Sequence, residues 1–186
     1  MANPSHRLFF ALRPPAATAA AIAEIAGKLK ASGLLHGSWL KPAKYHVTLH
    51  FLGTHDHFPN DLHERACVAA SNVAARAQEI AFDRIASFDR DHDAPCVLRC
   101  SPRSESAQRE FVRELARALA AAGVPAMEER DYLPHLTIGY ATPALPEPIS
   151  IEPVAWVARE FTLIDSHIGE GWHEELARWP LSRDEM

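Results

Sequence analysis

Hydrophobic positions recur along this chain with two different periods, and the changes of period mark its elements. Residues 7–12 form a short apolar run stopped by Pro14 and Pro15, which predicts a first strand. The Ala-rich stretch 15–31 places Ile22, Ile25 and Leu29 at helical spacing and predicts an amphipathic helix. Gly33 and Gly37 mark a loop. Trp39 and Leu40 then lead into a strand over 45–52, which stops at Gly53 before a His-rich polar turn at 54–59. A second helix is predicted over 61–76, and strands over 79–88 and 96–100 flank a charged turn at 89–94. The strongest helix covers 104–122, with Phe111, Leu115 and Leu119 on one stripe and Gly123 closing it. A strand over 133–141, a Pro-rich loop at 143–148, strands over 154–158 and 161–168, and a short tail at 172–181 complete the pattern.

The second half thus restates the layout of the first, which predicts an α+β protein of two sheet-and-helix lobes. A length of 186 residues suits one domain of this kind and can bury a real core. With 47% hydrophobic and 23% charged residues the chain has ordinary globular composition. A net charge of −5 argues against a protein that coats long nucleic acids and leaves room only for a local basic groove. Cys67, Cys96 and Cys100 lack the spacing of a disulfide framework, and Cys96 and Cys100 share one face of a strand as buried thiols. The apolar N-terminal stretch is broken by Arg13, Pro14 and Pro15, and no run approaches bilayer length, so a cytoplasmic protein without membrane contact is expected.

Two tetrapeptides carry the chemistry. His46-Val47-Thr48-Leu49 and His135-Leu136-Thr137-Ile138 share the order His, aliphatic, Thr, aliphatic. On a strand, residues two apart face the same way, so each motif displays an imidazole and a hydroxyl while its aliphatics anchor the opposite face. Random order of the 11 histidines and six threonines gives about 0.35 His-x-Thr tripeptides in a chain of this length. One copy is therefore weak evidence, and two copies with all four aliphatic flanks are strong. Histidine titrates near neutral pH and serves as general acid or base, and threonine hydroxyls can hold the non-bridging oxygens of a phosphate.

These motifs resemble those of the two-histidine (2H) phosphoesterase superfamily. Residues 7–12, 39–53, 134–138 and 161–166 are similar to its bacterial RNA 2′,3′-cyclic phosphodiesterase branch, also named for 2′-5′ RNA ligase activity. The resemblance implies a single domain, residues 1–186, of two intertwined pseudo-symmetric lobes with an active-site cleft between them. It implies metal-independent hydrolysis of RNA 2′,3′-cyclic phosphate ends to a 2′-phosphate, with reversible 2′-5′ ligation as a related reaction and no cofactor. His46 and His135 would then be the catalytic pair, with His46 assigned as acid and His135 as base, and Thr48 and Thr137 would bind the phosphate. Many members carry an arginine where this chain has Tyr140, which bears no charge at neutral pH. RNA ends or small cyclic nucleotides are the expected partners of an expected monomer.

Tyr140, His50, Tyr132 and Arg130 are further candidate substrate contacts; His50 shares the parity of His46 and Thr48 and so borders the expected cleft. Lys44 is a second candidate cation, and Trp39 a candidate stacking surface. By the same parity Tyr45 and Phe51 should pack in the core, with Trp156, Trp172 and Trp179 in the core or docking the tail. Two other functions fit less well. One is a non-catalytic module that binds RNA ends or nucleotides. The other is a metal hydrolase built on His50, His55, His57 and His63 with Asp56 and Asp61, whose spacing matches no tight metal-ligand pattern.

Overall fold

Leu8, Phe10 and Leu12 share one face of the first strand, β1 (Ser5–Leu12), and none of the three is exposed. Burying each is worth about 1.5–3 kcal/mol. Phe9 and Ala11 point the other way and form a separate small cluster with Ile164. An apolar strand of this kind needs cover on both faces, and this division organises the molecule. In this computed structural model the described residues are 5–88, 93–125, 132–169 and 171–182.

Pro14 and Pro15 end β1, and α1 (Ala16–Ala31) follows at once. Next come β2 (His36–Trp39), a short 3-10 turn (Pro42–Lys44), β3 (Val47–His55) and α2 (Asn60–Ser71). The chain continues through β4 (Gln78–Ser87), β5 (Ala94–Cys100) and α3 (Pro102–Ala121). Ser101 caps α3 by accepting the Ser104 N–H, and Gly123, at φ 68°, adopts the left-handed conformation that ends it. The last strands are β6 (His135–Thr142), β7 (Ile149–Ala158), β8 (Glu160–Ile168) and β9 (Trp172–Pro180).

The α+β class stands, and three local expectations change. The loop at Gly33 and Gly37 contains β2, which pairs with β6 because Gly37 has no side chain to strike the Tyr140 carbonyl. The second helix stops at Ser71, with Asn72 as its C-cap. The tail is β9, an edge strand paired along β8.

Among the described residues nine strands make one open antiparallel sheet in the order β7-β4-β5-β6-β3-β1-β8-β9, with β2 also on β6. Its two halves meet between β3 and β6 at a single residue pair, Val47 and Leu136. They are not the two halves of the sequence: β2 lies with β4–β7, and β1 and β3 lie with β8 and β9. Helix α1 packs on β6 and β7, whereas α3 lies on β3, β4 and β5 and beside α2. Phe111 of α3 meets Phe161 of β8 edge-on at 5.2 Å. Cys96 and Cys100 are buried in the main core, and burial pushes their thiols up to about 11 and about 12. None of the described helices is long and apolar enough to cross a membrane.

Candidate active site

The single β3–β6 pair places both His-x-Thr motifs side by side. Val47 and Leu136 are fully buried on the helix-covered face, so His46, Thr48, His135 and Thr137 are left on the other face. Antiparallel register about that pair sets His46 across from Thr137 and Thr48 across from His135. The strands pair nowhere else with each other, and the four polar side chains surround the point where they diverge. Both threonines are half-buried, and among the described residues neither hydroxyl engages a protein partner.

The two imidazoles are held in the same way. Nδ1 of His46 lies 2.7 Å from the Lys44 carbonyl, and Nδ1 of His135 lies 2.7 Å from the Leu133 carbonyl. A carbonyl only accepts, so each Nδ1 carries a proton and each neutral ring keeps its Nε2 lone pair. Each ring also has a phenylalanine against it. Phe9 stacks on His46 at 4.8 Å, and Phe88 meets His135 edge-on at 4.7 Å. A third imidazole, His173 of β9, packs edge-on to His46 at 5.5 Å.

Burial pushes the His46 pKa from 6.5 down to about 4, aided by charge on His173, His135 and Arg13 and opposed by the Lys44 carbonyl. His135 is lowered too, first by burial and then by Arg99, with the Leu133 carbonyl opposing. Arg99 pairs directly with His135 across β5 and β6 and so shares its face. Cations thus flank both histidines: Arg13 beside His46, and Arg99 beside His135. Lys44, from the turn that bonds His46, also acts on His173 and helps lower its pKa.

Two bulges decide what surrounds the motifs. Along β1 and β3, Ala11 pairs with Thr48 but Phe10 pairs with His50, so Leu49 is an extra residue. Along β5 and β6, Val97 pairs with Thr137 but Cys96 pairs with Gly139, so Ile138 is extra. The bulge falls at the fourth motif position in both copies, and alternation reverses beyond it. His50 is therefore turned to the helix side, where it is 1% exposed and its Nε2 lies 3.4 Å from the Pro125 carbonyl. It is not a substrate contact. Phe51, expected in the core, pairs with Phe9 and is exposed on the site face. Tyr140 occupies the matching position in the other half, paired with Pro95 and equally exposed.

The other expected contacts divide. Tyr132 is half-buried, and its hydroxyl donates to the Thr48 carbonyl at 3.0 Å, so it ties the approach to β6 onto β3 and does not face substrate. Arg130 lies outside the described residues. Trp39 packs on Gly139 and the main core, not on the site face. Tyr45 and Trp156 are buried as expected, and Trp179 stacks on Phe161. Trp172 is instead half-exposed. The His-rich turn is scattered, with His55 Nε2 lying 3.3 Å from the Leu52 carbonyl and His63 pairing with Cys67 on α2. Sequence reasoning passed over Phe9, Phe88, Arg99 and His173. Arg99 was visible as the lone charge in its strand, opposite in parity to Cys96 and Cys100; His173 sat in a segment read as a tail.

A family profile described as LigT like Phosphoesterase matches residues 12–97, which include the first motif. The RNA 2′,3′-cyclic phosphodiesterase of Bacillus subtilis strain 168 is 28% identical over 151 residues, 77% of this chain and 80% of that protein. That match and the paired motifs converging at one point of the sheet agree in what they resemble. The chain is similar to the LigT-like phosphoesterases over residues 12–97. Solved structures with this fold include Escherichia coli LigT complexed with 3′-AMP, with TM-score 0.74 and 22% identity over 96% of this chain and 99% of that one. A protein of Thermus thermophilus matches with TM-score 0.71 and 17% identity, again over 96% of this chain and 99% of that one. Like these structures the chain forms an open sheet, and it carries a tyrosine at position 140.

Proposed function

We propose that this phosphoesterase hydrolyses RNA 2′,3′-cyclic phosphate ends to a 2′-phosphate, with His46 and His135 as its acid and base. The observation that carries the reading is the matched state of the two imidazoles, each with Nδ1 fixed on a carbonyl two residues back and Nε2 left for chemistry. In-line displacement at phosphorus needs a base on the side of the attacking water and an acid on the side of the departing ribose oxygen. Two imidazoles from two strands that diverge around one residue pair suit that demand.

The depressed pKa values are consistent with His46 as acid and His135 as base. Once protonated, His46, held near 4 by burial, is a strong acid, and His135, lowered by burial and then by Arg99, keeps a free Nε2 that can accept a proton. His46 must first acquire its proton, and the negative charge of the bound phosphate favours that. His135 Nε2 then accepts a proton from water as the new P–O bond forms, and His46 Nε2 gives its proton to the 3′ oxygen as the old bond breaks. Thr48 and Thr137 donate to the non-bridging oxygens, with Arg13 and Arg99 supplying charge nearby. Phe51 and Tyr140, exposed one per half on the same face, would contact the nucleoside. The activity of the Bacillus subtilis relative supports this substrate class.

The test is turnover of nucleoside 2′,3′-cyclic phosphates and of an oligonucleotide ended in the cyclic phosphate, in chelator, with the phosphate position of the product identified. His46→Ala and His135→Ala should each lose roughly 100- to 10,000-fold in kcat while keeping their circular dichroism spectrum. Phosphate-dependent binding without product would instead make the protein a binding module, a reading that the uncharged Tyr140 keeps in contention.

A further inference from the structure

On the opposite face of the sheet from the paired motifs, three potential metal donors converge. His6 leads into the helix-side row of β1 with Leu8 and Phe10, and its strand register pairs it with His167 of β8. Asp165 lies two residues before His167 and shares its face. Nδ1 of His6 is 2.6 Å from Oδ2 of Asp165, Nε2 of His167 is 3.5 Å from the same oxygen, and the three donor atoms lie within 4.8 Å of one another.

The surroundings do not look like those of an ordinary surface ion pair. The Asp165 side chain is 1% exposed, and among the described residues its Oδ1 has no hydrogen-bond partner. A buried carboxylate with one oxygen left unsatisfied is costly unless positive charge compensates it. The two imidazoles are 18% and 12% exposed, open enough for an ion to enter. Aromatic rings hold them from outside: Trp172 stacks on His167 at 4.0 Å and 8°, and Phe58 meets His6 edge-on at 5.6 Å. Glu174 Oε2 sits 3.2 Å from His167 Nε2 and adds a second carboxylate at the edge. Two of the donors come from one strand and the third from its directly paired neighbour, so the set is held by sheet register and not by loops.

We propose that His6, Asp165 and His167 bind a divalent transition metal of the zinc class, which clamps β1 to β8 and takes no part in hydrolysis. Two imidazoles with one carboxylate are a donor set that such ions prefer over magnesium or calcium. Donors about 2.0–2.2 Å from zinc stand roughly 3.4 Å apart in a tetrahedron. His167 already lies 3.5 Å from the carboxylate oxygen, and the ion would replace the 2.6 Å His6–Asp165 hydrogen bond by moving those two donors apart. The proposal is independent of the reaction assigned to the other face.

Tag-free protein stripped with chelator and titrated with Co2+ or Zn2+ tests it. One equivalent should bind, give the intense visible bands of a low-coordinate cobalt site, and raise the melting temperature. The His46→Ala/His135→Ala double variant should bind equally, and His6→Gln and His167→Gln should each weaken binding by at least tenfold. Absence of saturable binding in the wild type, loss in the double variant, or retention in His6→Gln would each overturn the site. Should the histidine variants fail to fold, metal-dependent protection of His6 and His167 from chemical modification in the wild type decides it, and unprotected histidines would overturn it.

Discussion

Protonation of His46 is opposed by the protein and favoured by the substrate, and the contrast can be measured. With its pKa near 4 the ring is neutral in the unliganded protein at pH 7. An anion seated against it raises that pKa, so the complex holds more protons than its parts. Binding should therefore take up protons and tighten as pH falls from 7 towards 5. Calorimetry with inorganic phosphate or a non-hydrolysable cyclic nucleotide analogue, in two buffers of different ionisation enthalpy, should show net uptake. Equal heats in both buffers would remove His46 from the phosphate's surroundings. Position 140 offers the converse experiment, since Tyr140 is exposed on the site face and brings no charge there. Tyr140→Arg should raise kcat/KM by up to about tenfold at low salt, with the gain fading as ionic strength rises. A gain unaffected by salt would mean that stacking, not charge, is what the position supplies.

Strand alternation made the paired motifs legible, because His, aliphatic, Thr, aliphatic has the period of a half-buried strand. The same rule misplaced His50 and Phe51, and one extra residue explains both errors. Leu49 and Ile138 are each aliphatic, as a strand residue there would be, so nothing in the sequence announces a bulge. β9 was hidden for another reason: its edge position leaves alternate residues exposed, so its pattern is that of a polar tail, and His173 went unseen with it. Local patterns show a repeated layout but carry no information on which distant strands pair, so the grouping of β2 with β4–β7 is not visible in them. Tyr132 shows how the elements are fastened near the site, its hydroxyl holding the Thr48 carbonyl where β3 and β6 share only one residue pair. Tyr132→Phe should cost about 0.5–1.5 kcal/mol in chemical denaturation. It should also lower kcat several-fold with KM nearly unchanged, since the motifs' relative placement and not ground-state contact is lost. A change confined to KM would place the hydroxyl against substrate instead.

Across the whole molecule, the site's chemistry sets the pH dependence of folding. The folded pKa of His46, about 4, lies below its unfolded value near 6.5, so above pH 6.5 neither state holds the proton and the group is silent. As pH falls below 6.5 the unfolded chain is protonated first, and stability drops by about 1.4 kcal/mol per pH unit for this group until the folded pKa is reached. The full loss is about 3 kcal/mol, a large share of the 5–15 kcal/mol typical of a domain. His135 and His50 are lowered as well and act in the same sense. The wild type should thus be clearly less stable at pH 4.5 than at pH 7. His46→Gln, which keeps a polar side chain that never titrates, should lose about 2 kcal/mol less over that interval. Urea midpoints of both proteins at the two pH values, measured in chelator, provide the comparison. Parallel losses in the two proteins would show that His46 is protonated in the folded state as readily as in water, and would withdraw the buried, neutral imidazole on which its role as a substrate-loaded acid depends.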